Sequence, residues 1–265
     1  MEAFTLYLLL GAFGGWLAGL LGVGGGLIIV PVLEWVFTSH GIGRDISMHL
    51  ALGTSLTTIV FTSISSVRTH HAHGAVDWRL LGTIVPGVML GTLLGTAIAA
   101  RIPGHTLQVI FVAFLLFVST QMWFEIRPAA HRALPGFSGV TAVGGVIGVV
   151  SSLVGIGGGT LSVPFQLWCN VDARRAIGTS AAIGVPIAIA GMAGYILNGL
   201  GDVGLPPGSL GYVYLPAVGG IVVASVLTAM LGARMAHRMP VRVLKKGFAL
   251  LLLLLASRML WTLMA

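Results

Sequence analysis

Read along its length, the chain alternates long apolar runs with short polar breaks. Eight runs stand out, at 4–37, 46–67, 78–100, 104–124, 137–170, 176–198, 210–233 and 247–265. A helix needs about 20 apolar residues to cross the roughly 30 Å hydrocarbon core of a bilayer, so most runs match one crossing. None alternates strictly between apolar and polar positions, which disfavours barrel strands. Helices remain, because their backbone satisfies its own hydrogen bonds in lipid. Two runs, 4–37 and 137–170, would each be about 50 Å long as straight helices. They predict a crossing followed by a re-entrant half-helix. If that half-helix completes a second crossing, the parity changes and the halves become inverted.

Composition agrees. Of 265 residues, 56% are hydrophobic and 8% charged, with a mean hydropathy of +1.01; a soluble domain carries about a quarter charged residues. The expected fold is all-α integral membrane, multi-pass in a bacterial inner (plasma) membrane with the lipid bilayer as partner. The first run has no basic n-region and outlasts a secretory h-region, so it reads as retained structure. Cys169, the single cysteine, allows no internal disulfide and reads as a small buried hydrophobe. The net charge of +7 sits beside membrane segments, where topology and lipid headgroups account for it better than nucleic acid does. With eight crossings, the odd loops carry Arg44, Arg101, Arg174, Arg175, Arg234, Arg238, Arg242, Lys245 and Lys246, against Arg68, Arg79, Arg127 and Arg132 in the even ones. That predicts cytoplasmic odd loops and external termini.

An internal repeat changes the picture most. Gly22-Val23-Gly24-Gly25-Gly26 followed by Pro31 recurs as Gly155-Ile156-Gly157-Gly158-Gly159 followed by Pro164. Ala51-Leu52-Gly53-Thr54-Ser55 recurs as Ala176-Ile177-Gly178-Thr179-Ser180. Arg101, Pro103, Leu107 and Phe111 are echoed by Arg238, Pro240, Leu244 and Phe248. About eight transmembrane helices in two homologous halves follow, 1–125 and 137–265, joined by a Pro- and Arg-containing linker at 126–136. Duplicated membrane folds place their substrate site at the repeat interface.

Each glycine in an apolar helix destabilises it by about 1 kcal/mol relative to Ala, so three in a row predict a break. A helix restarted there exposes amide N–H groups and partial positive charge, an anion site built from backbone. Tight helix packing is the alternative use of such glycines. The candidate substrate-binding set is therefore Gly24, Gly25, Gly26, Gly157, Gly158 and Gly159, with the hydroxyls of Thr54, Ser55, Thr179 and Ser180. Those hydroxyls either donate to an oxyanion or bond locally to the helix backbone. A dinucleotide fingerprint is excluded, since Leu27 stands where its third glycine belongs.

The pattern G-x-G-G-G-x4-P followed by A-x-G-T-S, present twice, resembles the TauE/SafE sulfite exporter family of membrane permeases over nearly the whole chain. The resemblance implies outward movement of sulfur-containing or organic anions such as sulfite, sulfoacetate or related sulfonates, coupled to an ion gradient.

The halves also differ. Glu34 follows Pro31 where Leu167 follows Pro164, leaving either a coupling carboxylate or a hydrated helix end. Arg174 and Arg175 replace His49 and Leu50, as gating cations for an anion or as topological anchors. No Lys or Arg lies deep in the first seven runs, and Arg258 in the eighth can snorkel to an interface. Neutralisation of an anion is therefore expected from amides and hydroxyls. His70, His71 and His73 lack Cys partners and match no zinc spacing, so no metal is expected. No cofactor motif, H-E-x-x-H or G-x-S-x-G occurs, and the chain does not read as an enzyme. A secondary active transporter with a small anionic substrate is the leading reading. A passive anion channel and a membrane-embedded enzyme remain the alternatives, and homo-oligomerisation is open.

Overall fold

A computed structural model describes residues 2–21, 25–124, 133–235 and 241–264. Gly24, most of the linker, Arg238 and Pro240 lie outside the described residues. Among the described residues ten helices follow one another: α1 (Glu2–Leu21), α2 (Gly26–Ser39), α3 (Arg44–Ala72), α4 (Trp78–Ala99), α5 (Gly104–Trp123), α6 (Phe137–Val154), α7 (Gly159–Trp168), α8 (Ala173–Gly199), α9 (Leu215–Met235) and α10 (Val241–Met264). A two-stranded antiparallel hairpin, β1 (Ser209–Leu210) and β2 (Val213–Tyr214), leads into α9. Among the described residues seven helices are long and apolar enough to cross a membrane, and Phe4–Leu20 is a shorter apolar helix.

Both overlong runs are divided, α1 from α2 and α6 from α7. Pro31 and Pro164 lie inside the second member of each pair, so glycine rather than proline makes the break. Helices from before and after residue 125 pack on one another through matched contacts. Leu56 of α3 faces Gly191 of α8, and Ser63 faces Gly184, so these two helices run antiparallel. α5 and α10 are likewise antiparallel, with Gln108 bonded to Thr262 and Ser119 to the Ala249 carbonyl. In contrast α1 runs parallel to α9 and α4 to α6, along seams of small residues that let backbones approach: Gly11 on Ile221 and Gly15 on Ser225, Gly87 on Thr141 and Gly91 on Gly145.

Burial sorts the helices into a centre and a shell. The most apolar stretch of α3 is 78% buried and that of α8 61%, against 39% or less in α4, α5, α6, α9 and α10. The shell turns Leu90, Leu94, Phe117, Val146, Leu227 and Leu254 outward, as lipid permits and water would penalise. Leu27, Leu52, Leu56, Ile59, Ile156, Ile183 and Ile187 are fully buried around the central pair.

Candidate functional site

The two breaks have the same construction. Gly25 caps α2 with φ 72° and ψ −19°, and its carbonyl accepts from the amides of Ile28 and Ile29 at 3.1 and 3.2 Å. Gly158 caps α7 with φ 65° and ψ −23°, accepting from Leu161 and Ser162 at 3.1 and 2.8 Å. Left-handed backbone costs an L-residue roughly 1–2 kcal/mol, which glycine avoids. The breaks also touch: a Cβ on Gly26 would run into the Gly155 carbonyl and lie 3.1 Å from Ile156 Cα. Gly158 lies beside Ile183 and Ile187, well within the length of α8. Gly157 accepts from the Gly159 amide at 2.7 Å. The Thr160 hydroxyl next to it is buried without a partner among the described residues.

The Gly-Thr-Ser motifs tie together segments far apart in the chain. The Thr54 hydroxyl accepts from the Tyr214 amide at 2.9 Å, and the Thr179 hydroxyl from the Asp77 amide at 2.9 Å. One residue earlier, a Cβ on Gly53 would strike the Tyr212 carbonyl, and one on Gly178 the Ala75 carbonyl. Glycine lets the segment entering α9 or α4 lie against the central helix, and threonine holds it there. Ser55 donates to the Gly155 carbonyl at 2.9 Å. Ser180 accepts from Ser162 Oγ at 2.7 Å and Gln166 Nε2 at 2.9 Å. All four hydroxyl residues are fully buried, and none lines either cavity described next.

The first cavity, about 20 Å³, lies at Gly157 between α1, α3, α8 and α9. Thr62, Ser63 and Ser66 supply its hydroxyls; Ala18, Gly19, Ala181 and Ala229 supply small apolar walls, and no charged side chain lines it. It has room for about one water. Thr62 makes only long bonds, 3.3 Å, to carbonyls of its own helix. Sequence reasoning missed this trio. The signal was the hydroxyl density of α3, with Thr57, Thr58, Thr62, Ser63, Ser65, Ser66 and Thr69 beyond the motif.

A second small cavity runs between α2 and α10, lined by Glu34, Trp35, Thr38, Arg258 and Thr262. Glu34 is 6% exposed, a buried carboxylate rather than a hydrated helix end. Arg258 stacks its guanidinium over Trp35, 4.3 Å from the ring centroid. Arg174 and Arg175 are exposed at the start of α8, where the Asp172 carboxylate caps their amides. The histidines stand at the end of α3, His71 against Trp78 at 5.4 Å between ring centroids. Among the described residues no group of three His, Cys, Asp or Glu could hold a metal ion.

Helices that cross a membrane, broken at paired glycine motifs beside a cavity, define a multi-pass membrane protein of transporter type. The profile of the family described as Sulfite exporter TauE/SafE matches residues 7–259. The chain belongs to that family. A "Probable membrane transporter protein" of Haemophilus influenzae is 40% identical over 257 residues, 96% of this chain and 97% of the relative. The Bacillus subtilis "Probable membrane transporter protein YdhB" is 29% identical over 245 residues, covering 89% and 91%. No solved structure matches the chain.

Proposed function

We propose that this protein is a secondary active transporter that exports a sulfur-containing or organic anion, sulfite or a small sulfonate, across the bacterial inner membrane. The observation that carries the reading is the meeting of the two helix breaks, Gly26 on Gly155, beside a cavity that offers hydroxyls and backbone but no fixed charge. Dipolar groups stabilise an anion without the tight hold of a guanidinium, which suits cargo that must be released. At about 20 Å³ the cavity is smaller than an oxyanion. Loading then requires the helices around Gly157 to part, and the halves are built to do so. We read them as inverted repeats, because symmetry-equivalent helices α3 and α8, and α5 and α10, run antiparallel. Rocking of inverted halves about a shared site gives alternating access.

The test is counterflow and gradient-driven flux in proteoliposomes with sulfite, small sulfonates and carboxylates. Uphill movement of one of these under an imposed proton or sodium gradient supports an active transporter. Flux that only dissipates the anion's own gradient makes the protein a channel, and a chemically altered product makes it an enzyme. Within the transporter reading, Ser63→Ala and Thr62→Val are expected to raise the half-saturating anion concentration by one to two decades, the effect of losing one hydrogen bond to a charged group at about 1.5–3 kcal/mol.

A further inference from the structure

His49 stands near the start of α3, is 6% exposed, and touches a carbonyl oxygen with each ring nitrogen. Nδ1 lies 2.7 Å from the carbonyl of Asp45, one turn back on α3. Nε2 lies 2.9 Å from the carbonyl of Ala99, the last residue of α4. A carbonyl only accepts. A neutral imidazole carries one N–H, so either tautomer leaves a ring lone pair facing a carbonyl oxygen at hydrogen-bond distance. The imidazolium carries two N–H groups and satisfies both contacts. Its charge also fits the place, since the last carbonyls of a helix carry partial negative charge. Ala99 is fully buried, so water has no easy route to replace the bond. The Tyr212 ring lies 5.0 Å from the imidazole, tilted by 32°, within the range at which an aromatic face favours a cation.

The repeat offers an independent pointer. Superposing the two A-x-G-T-S motifs places Arg174 at the position of His49, so the second half carries a permanent cation where the first carries a titratable one. The charged and titratable groups on the elements around this end of α3 include Asp45 and Arg44 on α3 itself, Glu34 and the capping His40 on α2, and Tyr214 on β2. Arg101 and His105 lie where α4 passes into α5, and Tyr212 and Asp202 lie on the hairpin side. The Tyr212 hydroxyl is committed to Asp202 at 3.0 Å, and both His49 nitrogens are taken by carbonyls.

We infer that His49 is a proton-binding site whose bound proton clasps the start of α3 to the end of α4. Loss of the proton removes one N–H and turns one of the two contacts repulsive, so the proton is a ligand for this arrangement of the helices. The inference goes beyond the anion reading and does not depend on it. Should that reading hold, the proton becomes the coupling ion to test first.

The decisive measurement is nitrogen NMR on the full-length protein, histidine-labelled, in lipid bilayers, with His49→Gln identifying the signal. Both nitrogens of His49 are expected to carry protons in the folded protein, since each faces a carbonyl oxygen. A neutral tautomer there overturns the proposal, whatever the transport assays show. Thermal melting across a pH series gives a second reading. The clasp exists only with the proton bound, so wild-type Tm contains a component that falls as pH rises. His49→Arg is expected to lack that component, and His49→Gln to lack it and melt several degrees lower at acidic pH. A wild-type pH slope in the Arg variant overturns the proposal even if the Gln variant fails to fold.

Discussion

Thr54 and Thr179 offer a direct way to separate a structural from a ligand-binding use of the Gly-Thr-Ser motif. Each hydroxyl accepts a bond from the amide of a segment more than a hundred residues away, Tyr214 and Asp77. Both threonines are fully buried, so Thr→Val keeps the shape while leaving an amide that water cannot reach. An orphaned buried donor costs about 1–3 kcal/mol. The ties belong to different pairs of elements, so the double variant is expected to lose about 2–6 kcal/mol, near the sum. Thr→Ser keeps the acceptor and loses one methyl, and is expected to recover most of the stability. Equilibrium unfolding in mixed micelles measures the losses, with anion titration alongside. Val variants with stability within about 0.5 kcal/mol of wild type and a tenfold weaker anion affinity would refute the reasoning and return these hydroxyls to the substrate.

Gly158→Ala is expected to cost at least the roughly 1–2 kcal/mol of left-handed backbone, plus the overlap of its Cβ with Ile187. Gly136→Ala, where nothing lies within 4 Å, is the control; equal melting of the two would sink the argument. Arg174→Gln removes an exposed charge at the start of α8 and is expected to change the salt dependence of flux more than its saturation at high substrate. A salt profile identical to wild type rules out an electrostatic role. Arg258→Gln removes the guanidinium that lines the same cavity as the buried Glu34 and is expected to lower Tm at neutral pH. Adding Glu34→Gln should restore it, and a double variant no better than the single shows that the two groups are uncoupled.

How much of this could be read from residues alone follows from the physics of each signal. Hydrophobic run length reports on lipid contact, so every shell helix was legible, α4 and α5 nearly to their ends. The glycine motifs announced breaks because glycine's cost in a helix is local. What the break does to chain direction is not local. Gly25 and Gly158 reverse the path through two backbone torsions inside an unbroken apolar run, and hydropathy is blind to a reversal of direction. α3 was expected over 46–67 and extends to Ala72, because His70 and His71 close a helical turn that polarity suggested was loop. The Gly-Thr-Ser motifs were recognisable as important, but their partners, Asp77 and Tyr214, carry no mark in the sequence. Arg258 was expected to reach for an interface. Its contact with Trp35 follows from α2 and α10 being neighbours, which the sequence does not mark.

The direction of the chain gives the prediction with the widest reach. With α3 and α8 antiparallel, the ends of the helical array can be followed from contacts. Ala75 meets Gly178 at one end, and His49 meets Ala99 and Tyr212 at the other. The connection between α4 and α5 falls at the second end with the start of α3. The ends of α3, α5, α7 and α9 and the starts of α4, α6, α8 and α10 fall at the first. Among the described residues Arg44, Arg101 and Arg258 then belong to the second end, and the other eight Lys and Arg to the first. That is a sharper asymmetry than eight plain crossings provide, and by the positive-inside rule it places the first end in the cytoplasm. In the eight-crossing layout Ser39 and Ala173 share a side; in the antiparallel arrangement they lie on opposite sides. Both are exposed, as are Ala72 and Val203. In a background with the buried Cys169 replaced by Ser, single cysteines would be placed at these four positions. They would then be offered a membrane-impermeant maleimide in intact cells. Ser39→Cys and Val203→Cys are expected to label from outside, and Ala72→Cys and Ala173→Cys only after the membrane is opened. Ser39→Cys and Ala173→Cys behaving alike would restore plain crossings, and with them parallel halves and no rocking about a shared axis.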